Sequence, residues 1–267
     1  MSRTHRLRNE FAGAAVQRRP RALLWLPLIC LFSTSECASA AAADTARLEE
    51  RPNFSGIWDR VVKTPRRPQF DPNVYAQAEQ TPPLKPEYMS LWKNRFVAAG
   101  RGDLSFDTSA THCLPKGMPR VMMAPFGLEI LQTDWQINMF NEGSQETVRI
   151  VLDGRKQEAD ADPSYIGFTT GRWEGATLKT VTTGLRVDTV FDSSGIPHSE
   201  ALTVEQSFRL LDRDTLENIV TLKDPIAFER DWVVPMVYRR APKDRIVAEV
   251  VCLEGKLNAT SGAGTAK

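Results

Sequence analysis

The chain has 267 residues, a formal net charge of +1 and 42% hydrophobic residues. A near-neutral chain without a basic block lacks the electrostatic footprint of a nucleic-acid-binding protein, so no nucleic-acid partner is expected. The length beyond the amino-terminal segment suits one domain with an extension, which is enough for a sizeable core.

An export signal is predicted at the amino terminus. Arginines at 18–21 precede an apolar run at 22–32, and the small residues Ala-Ser-Ala follow at 38–40. This order is typical of a cleaved secretory signal. The run has about half of the roughly 20 residues that a spanning helix needs, so no stable membrane span is expected after cleavage. We predict a signal peptide at 1–43 and a periplasmic or secreted protein, with the Sec and twin-arginine routes both open.

Two cysteines remain after the signal, Cys113 and Cys252. An even pair in an oxidising compartment predicts a disulfide. It would close a loop of more than 100 residues, for which the chain-entropy model gives roughly 4–5 kcal/mol as an upper estimate. The two remaining histidines, His112 and His198, have no metal-ligand spacing, so no metal and no cofactor is predicted.

A proline-rich arm is predicted at 44–127, because proline lacks a backbone donor and resists the interiors of helices and sheets. Residues 87–99 are the exception. Apolar side chains recur there at the three-to-four spacing of an amphipathic helix, and Pro86 suits its first turn. Residues 53–58 predict a short strand. The arm has too few apolar residues for a core of its own.

Residues 128–254 predict a succession of antiparallel strands. Apolar side chains and Gln206 alternate with polar ones along 202–211, the period of a strand with one buried face. Turn residues such as Asp153-Gly154 separate the segments. The predicted strands are 128–133, 135–141, 147–152, 165–173, 177–183, 185–191, 202–211, 215–222, 233–239 and 245–252.

The predicted fold class is therefore mainly β: an antiparallel meander that closes into a lipocalin-like barrel, preceded by the arm with its short helix. Closure removes the long free edges that a flat sheet of this width would expose. A cone-shaped α+β sheet around a helix and a two-sheet sandwich are the alternatives. Residues 255–267 are expected to form a flexible tail.

Several segments between residues 52 and 254 resemble a family of exported bacterial proteins without an assigned activity. They are Cys-x-Pro-x-Gly-x-Pro-Arg at 113–120, Asp-Gly-Arg at 153–155, Gly-Arg-Trp-Glu-Gly at 171–175 and His-Ser-Glu at 198–200. The resemblance implies export and a β-rich fold, and it supplies no reaction. Phe168 stands where the family has a histidine, which implies binding without catalysis or a different ligand.

His198 is the principal candidate for chemistry. It lies before a predicted strand, with Glu200 and Glu205 close in sequence. A histidine with a carboxylate partner can act as a general acid or base near neutral pH, so these three form the candidate catalytic set. The alternative is a histidine that anchors a loop by hydrogen bonds.

A second set of residues is predicted to bind a ligand. Aromatic rings line apolar cavities, and arginines bind carboxylates. For the tryptophans the alternative is core packing, and for the arginines it is pairing with a nearby acid. The candidate ligand-binding residues are Trp135, Phe168, Trp173, Arg120 and Arg149.

Three functions follow from these features. The first is a barrel that binds a small apolar or aromatic molecule, and the second is a cofactor-free lyase, isomerase or cyclase that uses His198 and a glutamate. The third is an interaction protein of the cell envelope. The sequence has no nucleophile elbow, P-loop, dinucleotide fingerprint or His-Glu-x-x-His motif, so binding is the leading prediction and enzymatic activity stays open.

Overall fold

The computed structural model describes residues 51–61, 81–158 and 160–252. The predicted signal peptide and the predicted tail at 255–267 lie outside the described residues. Within these ranges nine strands close into one barrel in sequence order, so the predicted mainly β, meander-type barrel is confirmed. The strands are β1 Gly56–Arg60, β2 Leu128–Gln132, β3 Gln136–Asn141, β4 Glu146–Val151, β5 Phe168–Glu174, β6 Thr177–Thr183, β7 Thr203–Asp212, β8 Thr215–Lys223 and β9 Trp232–Arg240.

The first strand closes the barrel. β1 pairs with β2, where Trp58 faces Leu128, and with β9, where Trp58 faces Arg240. The barrel therefore takes one of its strands from the segment predicted as the arm. One pairing departs from the antiparallel meander: β4 and β5 run parallel, with Ile150 opposite Thr169.

Three helices are present among the described residues: α1 Pro86–Gly100, α2 Thr108–Thr111 and α3 Arg120–Met123. The predicted helix at 87–99 is confirmed as α1. Pro86 begins it, and its buried residues Trp92 and Phe96 lie four positions apart, on one face. No described helix has both the length and the apolar composition needed to cross a membrane.

Two predicted strands are wrong, and the closed barrel explains both. Residues 185–191 form a single bridge, between Leu185 and Ser164, and then continue as turns that bury Phe191 against the core. Residues 245–252 pair with no strand within the described ranges, and Ile246 is 81% exposed. Because every barrel strand already has two neighbours, no edge is left for another strand.

The two ends of the barrel are covered differently. At one end lie α1, the loop 185–202 and the segment 224–228, where Lys85 N donates to Ala227 O at 2.9 Å. We call this the helix end. The other end, which we call the hairpin end, carries the turns after β5 and β7. The core between them is one continuous apolar cluster.

Cys113 and Cys252 are bonded, as predicted. Their sulfurs lie 2.09 Å apart and their Cα atoms 5.7 Å apart, within the reach of a disulfide. The bond joins the segment that follows β9 to the loop before α3. Arg245 adds a second attachment by donating to Glu142 Oε2 at 2.6 Å.

Candidate functional site

His198 is held inside the loop 185–202 at the helix end. It is 3% exposed, and its ring stacks on Phe191 with centroids 5.3 Å apart. Nδ1 lies 2.9 Å from Ser199 O, and Nε2 lies 2.9 Å from Thr189 Oγ1. Since a carbonyl only accepts, Nδ1 carries a proton, and in the neutral ring Nε2 accepts from the Thr189 hydroxyl. The single proton of that hydroxyl then does not go to Arg186 O, which lies 3.2 Å away. Both nitrogens are occupied, which is the arrangement of a loop anchor.

The structure does not bring the predicted catalytic set together. Glu200 is exposed, and Glu205 lies on the outer face of β7, where Lys223 Nζ donates to it at 2.7 Å. Neither glutamate makes a hydrogen bond or ion pair with His198 among the described residues. The structure therefore shows no contact between His198 and either glutamate, and the acid–base role of the three residues stays a prediction.

A carboxylate that the sequence analysis assigned no role holds this loop instead. Asp224 is 2% exposed and accepts from Ser199 N at 2.7 Å and from Ser199 Oγ at 2.6 Å. It also accepts from Ala227 N at 2.9 Å. Asp224 therefore fastens the loop 185–202 to the segment after β8, a structural role rather than a catalytic one.

The buried His198 makes stability depend on pH. Burial lowers the pKa of His198 below its usual 6.5. Below pH 6.5 the unfolded chain then binds a proton that the folded protein does not, so stability falls as pH drops from about 6.5 towards the folded-state pKa. We expect His198→Gln to lose this pH dependence, at most about 1.4 kcal/mol per pH unit, in urea unfolding between pH 7.5 and 5. A slope in His198→Gln equal to that of the wild type would refute the assignment.

The predicted ligand-binding arginines lie outside the barrel interior. Arg149 is exposed on β4. Arg120 is nearly buried and donates to Asp107 Oδ2 at 2.8 Å and to Ser109 Oγ at 3.0 Å. Asp107 also caps α2 by accepting from Ser109 N and Ala110 N. Arg120 thus follows the alternative of pairing with an acid, and it joins α2 to α3.

The predicted aromatic residues are spread over the surface and the rim. Trp135 is 51% exposed in the turn between β2 and β3, where Arg155 lies over its ring. Phe168 is half-buried at the start of β5. Trp173, near the end of β5, packs against Phe54 with ring centroids 5.3 Å apart. Of the three, Trp173 alone lines a cleft described below, and Trp135 and Phe168 line neither of the two spaces described there.

A polar patch lies on the inner face of β6, β7 and β8, within the apolar core. It consists of Thr180, Gln206 and Asn218, each less than 4% exposed. Asn218 Nδ2 donates to Gln206 Oε1 at 3.0 Å. Three polar atoms of the patch have no hydrogen-bond partner in the part of the chain that the structure describes: Thr180 Oγ1, Gln206 Nε2 and Asn218 Oδ1. Each unpartnered buried polar group costs about 1–3 kcal/mol, so the patch calls for an explanation.

The bond between the two amides does not depend on how they are oriented. An amide oxygen and nitrogen exchange places on a 180° rotation. Rotating both Gln206 and Asn218 reverses the direction of the bond and still leaves one amide NH₂ and one carbonyl outside it. Tyr238 lies beside the patch; burial raises the pKa of Tyr238 to about 12, and its hydroxyl donates to Met122 O at 3.1 Å.

Open space is found outside the core. A cleft of about 240 Å³ at the hairpin end is lined by Arg51, Asn53, Gln132, Thr133, Asp134 and Trp173. A groove of about 290 Å³ crosses the sheet at β5–β8. Its lining mixes charged, polar and apolar residues and includes two residues of the polar patch; the lining residues are Arg172, Lys179, Thr180, Val181, Glu205, Gln206, Ser207, Ile219 and Thr221. In the described ranges, no three His, Cys, Asp or Glu side chains are grouped to hold a metal ion.

Comparison with known proteins adds no family to this picture. No protein-family model matches the chain, and no curated protein matches its sequence. The barrel and its polar groups are therefore the basis for any assignment of function.

Proposed function

We propose that the protein is an extracytoplasmic barrel that binds a small, mainly apolar molecule in its interior. In this proposal Thr180, Gln206 and Asn218 hold the polar end of the ligand. The observation that carries it is the set of three buried polar atoms on the inner face of β6–β8 that have no hydrogen-bond partner among the described residues. A ligand with a donor and an acceptor would satisfy these atoms and offset the cost of burying them.

The surroundings of the patch favour an uncharged ligand. The side chains that face inward along β5–β8 are apolar or neutral, and Tyr238 keeps its proton. Burying an unpaired charge there would be expensive. An amide, alcohol or phenol on an apolar body combines the required donor and acceptor without a charge.

Entry of the ligand requires side chains to move, because the unpartnered atoms are sealed from solvent. Met236 faces Asn218 across β8 and β9. A methionine side chain is unbranched and adapts to neighbours of different shape. Met236 could therefore change rotamer to admit a ligand to the patch. Binding is thus expected to be slow relative to diffusion, since it waits for the core to open.

The extracytoplasmic part of the proposal rests on two features. The predicted signal peptide directs the chain out of the cytoplasm, and disulfides such as Cys113–Cys252 persist in oxidising compartments. The acid–base alternative has less support, because it needs a ring nitrogen of His198 that can reach a substrate. His198 is buried, and both of its ring nitrogens are hydrogen-bonded.

The test is native mass spectrometry of the mature protein after expression into the periplasm, followed by extraction and titration with neutral apolar amides, alcohols and phenols. The double variant Gln206→Leu with Asn218→Leu should lose at least about tenfold in affinity. Its free energy of unfolding should stay level or rise, because both partners of the amide pair become apolar together.

The control is Ser207→Ala, which changes the outer face of the same strand, where Ser207 Oγ accepts from Lys179. It should bind as the wild type does. Equal affinity of the double variant and the wild type, or no uptake of any compound by a folded wild type, would overturn the interior site.

A further inference from the structure

We propose a second binding site, independent of the barrel interior: the cleft at the hairpin end takes a single neutral sugar ring. The juxtaposition that carries the proposal is an aromatic ring, a cation, an anion and an amide around one half-open space of about 240 Å³.

Trp173 supplies a fixed aromatic surface. It is half-buried and packs against the core, and Phe54, which is fully buried, lies behind it with ring centroids 5.3 Å apart. A ring held in this way loses little conformational freedom when a ligand stacks on it. The C–H face of a pyranose is apolar and suits such a surface, while its hydroxyl groups point outward from the edge.

Gln132 positions residues 52–54 at the cleft. Its Oε1 accepts from Phe54 N at 2.9 Å, and its Nε2 donates to Pro52 O at 3.1 Å. Both ends of this amide are thus used to hold residues 52–54 against β2. Gln132 is therefore a positioning residue, which keeps Asn53 and Phe54 at the cleft.

Three other groups at the cleft are available to a ligand. Asn53 Oδ1 accepts from Ser55 N at 2.8 Å, which leaves the NH₂ of Asn53 to donate. Arg51 and Asp134 form no ion pair within the described part of the chain, with each other or with other residues. A guanidinium, a carboxylate and an amide are planar groups that donate to or accept from pairs of neighbouring hydroxyls.

The charges and the size restrict the ligand class. One cation and one anion line the cleft, so neither an anionic nor a cationic ligand gains a net advantage. An apolar ligand would strip water from these charged groups without replacing its hydrogen bonds. The volume is below the roughly 300–1,000 Å³ of sites for drug-sized ligands, which limits the occupant to about one ring. A neutral polyhydroxylated ring meets all three conditions.

The experiment is a titration of the mature protein, followed by ¹⁵N NMR, with neutral monosaccharides up to about 100 mM. We expect saturable shifts of the Trp173 indole N–H and a dissociation constant of the order of 1 mM, typical of weak contacts at a half-open site. Trp173→Ala and Asp134→Asn should each weaken binding by about tenfold or more. Asp134 is exposed, so its variant tests the site without disturbing the core.

Trp135→Ala is the matched control, because Trp135 is an exposed tryptophan that does not line the cleft. It should titrate as the wild type does. Absence of saturable shifts with every sugar, or equal binding by Asp134→Asn and the wild type, would overturn the proposal. Saturable shifts with a zwitterionic amino acid and none with sugars would overturn the ligand class. The test of the interior site is independent of this one, because Gln206 and Asn218 do not line the cleft and their variants should bind sugars as the wild type does.

Discussion

Replacement of Trp58 with alanine is expected to lower the free energy of unfolding by about 3–5 kcal/mol. Trp58 is fully buried in β1, the strand that closes the barrel between β2 and β9. Its Nε1 donates to Phe54 O at 2.7 Å, and the Arg240 guanidinium lies 4.1 Å from the centre of its ring system. The substitution leaves a large cavity, an unsatisfied carbonyl and a cation without its aromatic partner.

Urea denaturation followed by circular dichroism measures this effect. Trp135→Ala is the matched control, because Trp135 is 51% exposed, and it should change the free energy of unfolding by no more than about 0.5–1 kcal/mol. Trp58→Phe keeps an aromatic ring, so its loss in the free energy of unfolding should lie between those of Trp58→Ala and Trp135→Ala. A loss for Trp58→Ala as small as that of the control would contradict the role of β1 in closing the barrel.

Removal of the disulfide is expected to lower the free energy of unfolding by about 2–4 kcal/mol. Cys113 and Cys252 are 139 residues apart in sequence, and β2 to β9 lie between them. The bond therefore restricts the unfolded chain over nearly the whole barrel. The measured loss should stay below the chain-entropy estimate, since the segment carrying Cys252 is largely exposed and forms no strand among the described residues of the folded protein.

The measurement compares guanidinium denaturation of the wild type and of the double variant Cys113→Ser with Cys252→Ser. The free energy of unfolding of the double variant should equal that of the wild type measured in reductant. Adding reductant to the double variant should leave its free energy of unfolding unchanged. A double variant as stable as the oxidised wild type would show that the bond fastens the exposed segment alone and leaves the unfolded barrel unrestricted.

Local pattern predicted the strands that lie in the barrel wall. Alternation along 202–211 correctly placed Val204, Gln206 and Phe208 on one face, and the structure buries all three in β7. The same pattern failed at 185–191 and 245–252. Both segments have residues suited to strands, but a strand also needs a neighbour, and the closed barrel provides none.

The candidate sites were only partly predictable. The sequence singled out His198 and Trp173, and the structure places one in a buried loop and the other at a cleft. It offered Glu200 and Glu205 as partners of His198 because they are close along the chain. Instead His198 contacts Thr189, which lies nine residues earlier in the same loop, and Asp224, which follows β8, binds Ser199. Both contacts form only on folding.

The polar patch shows the same division. Gln206 falls on the apolar face of its strand by alternation, which marks it as a buried polar residue from sequence alone. Its partner Asn218 lies on the next strand, and their contact depends on the register in which Gln206 faces Val220 and Phe208 faces Asn218. Register is a property of pairing between strands, so no single segment specifies it.

By itself, the sequence determined that the chain is mainly β, that α1 precedes the strands from β2 onward and that Cys113 pairs with Cys252. These follow from periodicity, proline placement and cysteine count, which act over short stretches or by elimination. The tertiary structure alone decided that β1 closes the barrel, that β4 and β5 run parallel, and that the amides of Gln206 and Asn218 meet inside. These depend on which distant segments become neighbours, and that choice is made by burial of the whole apolar core rather than by any local preference.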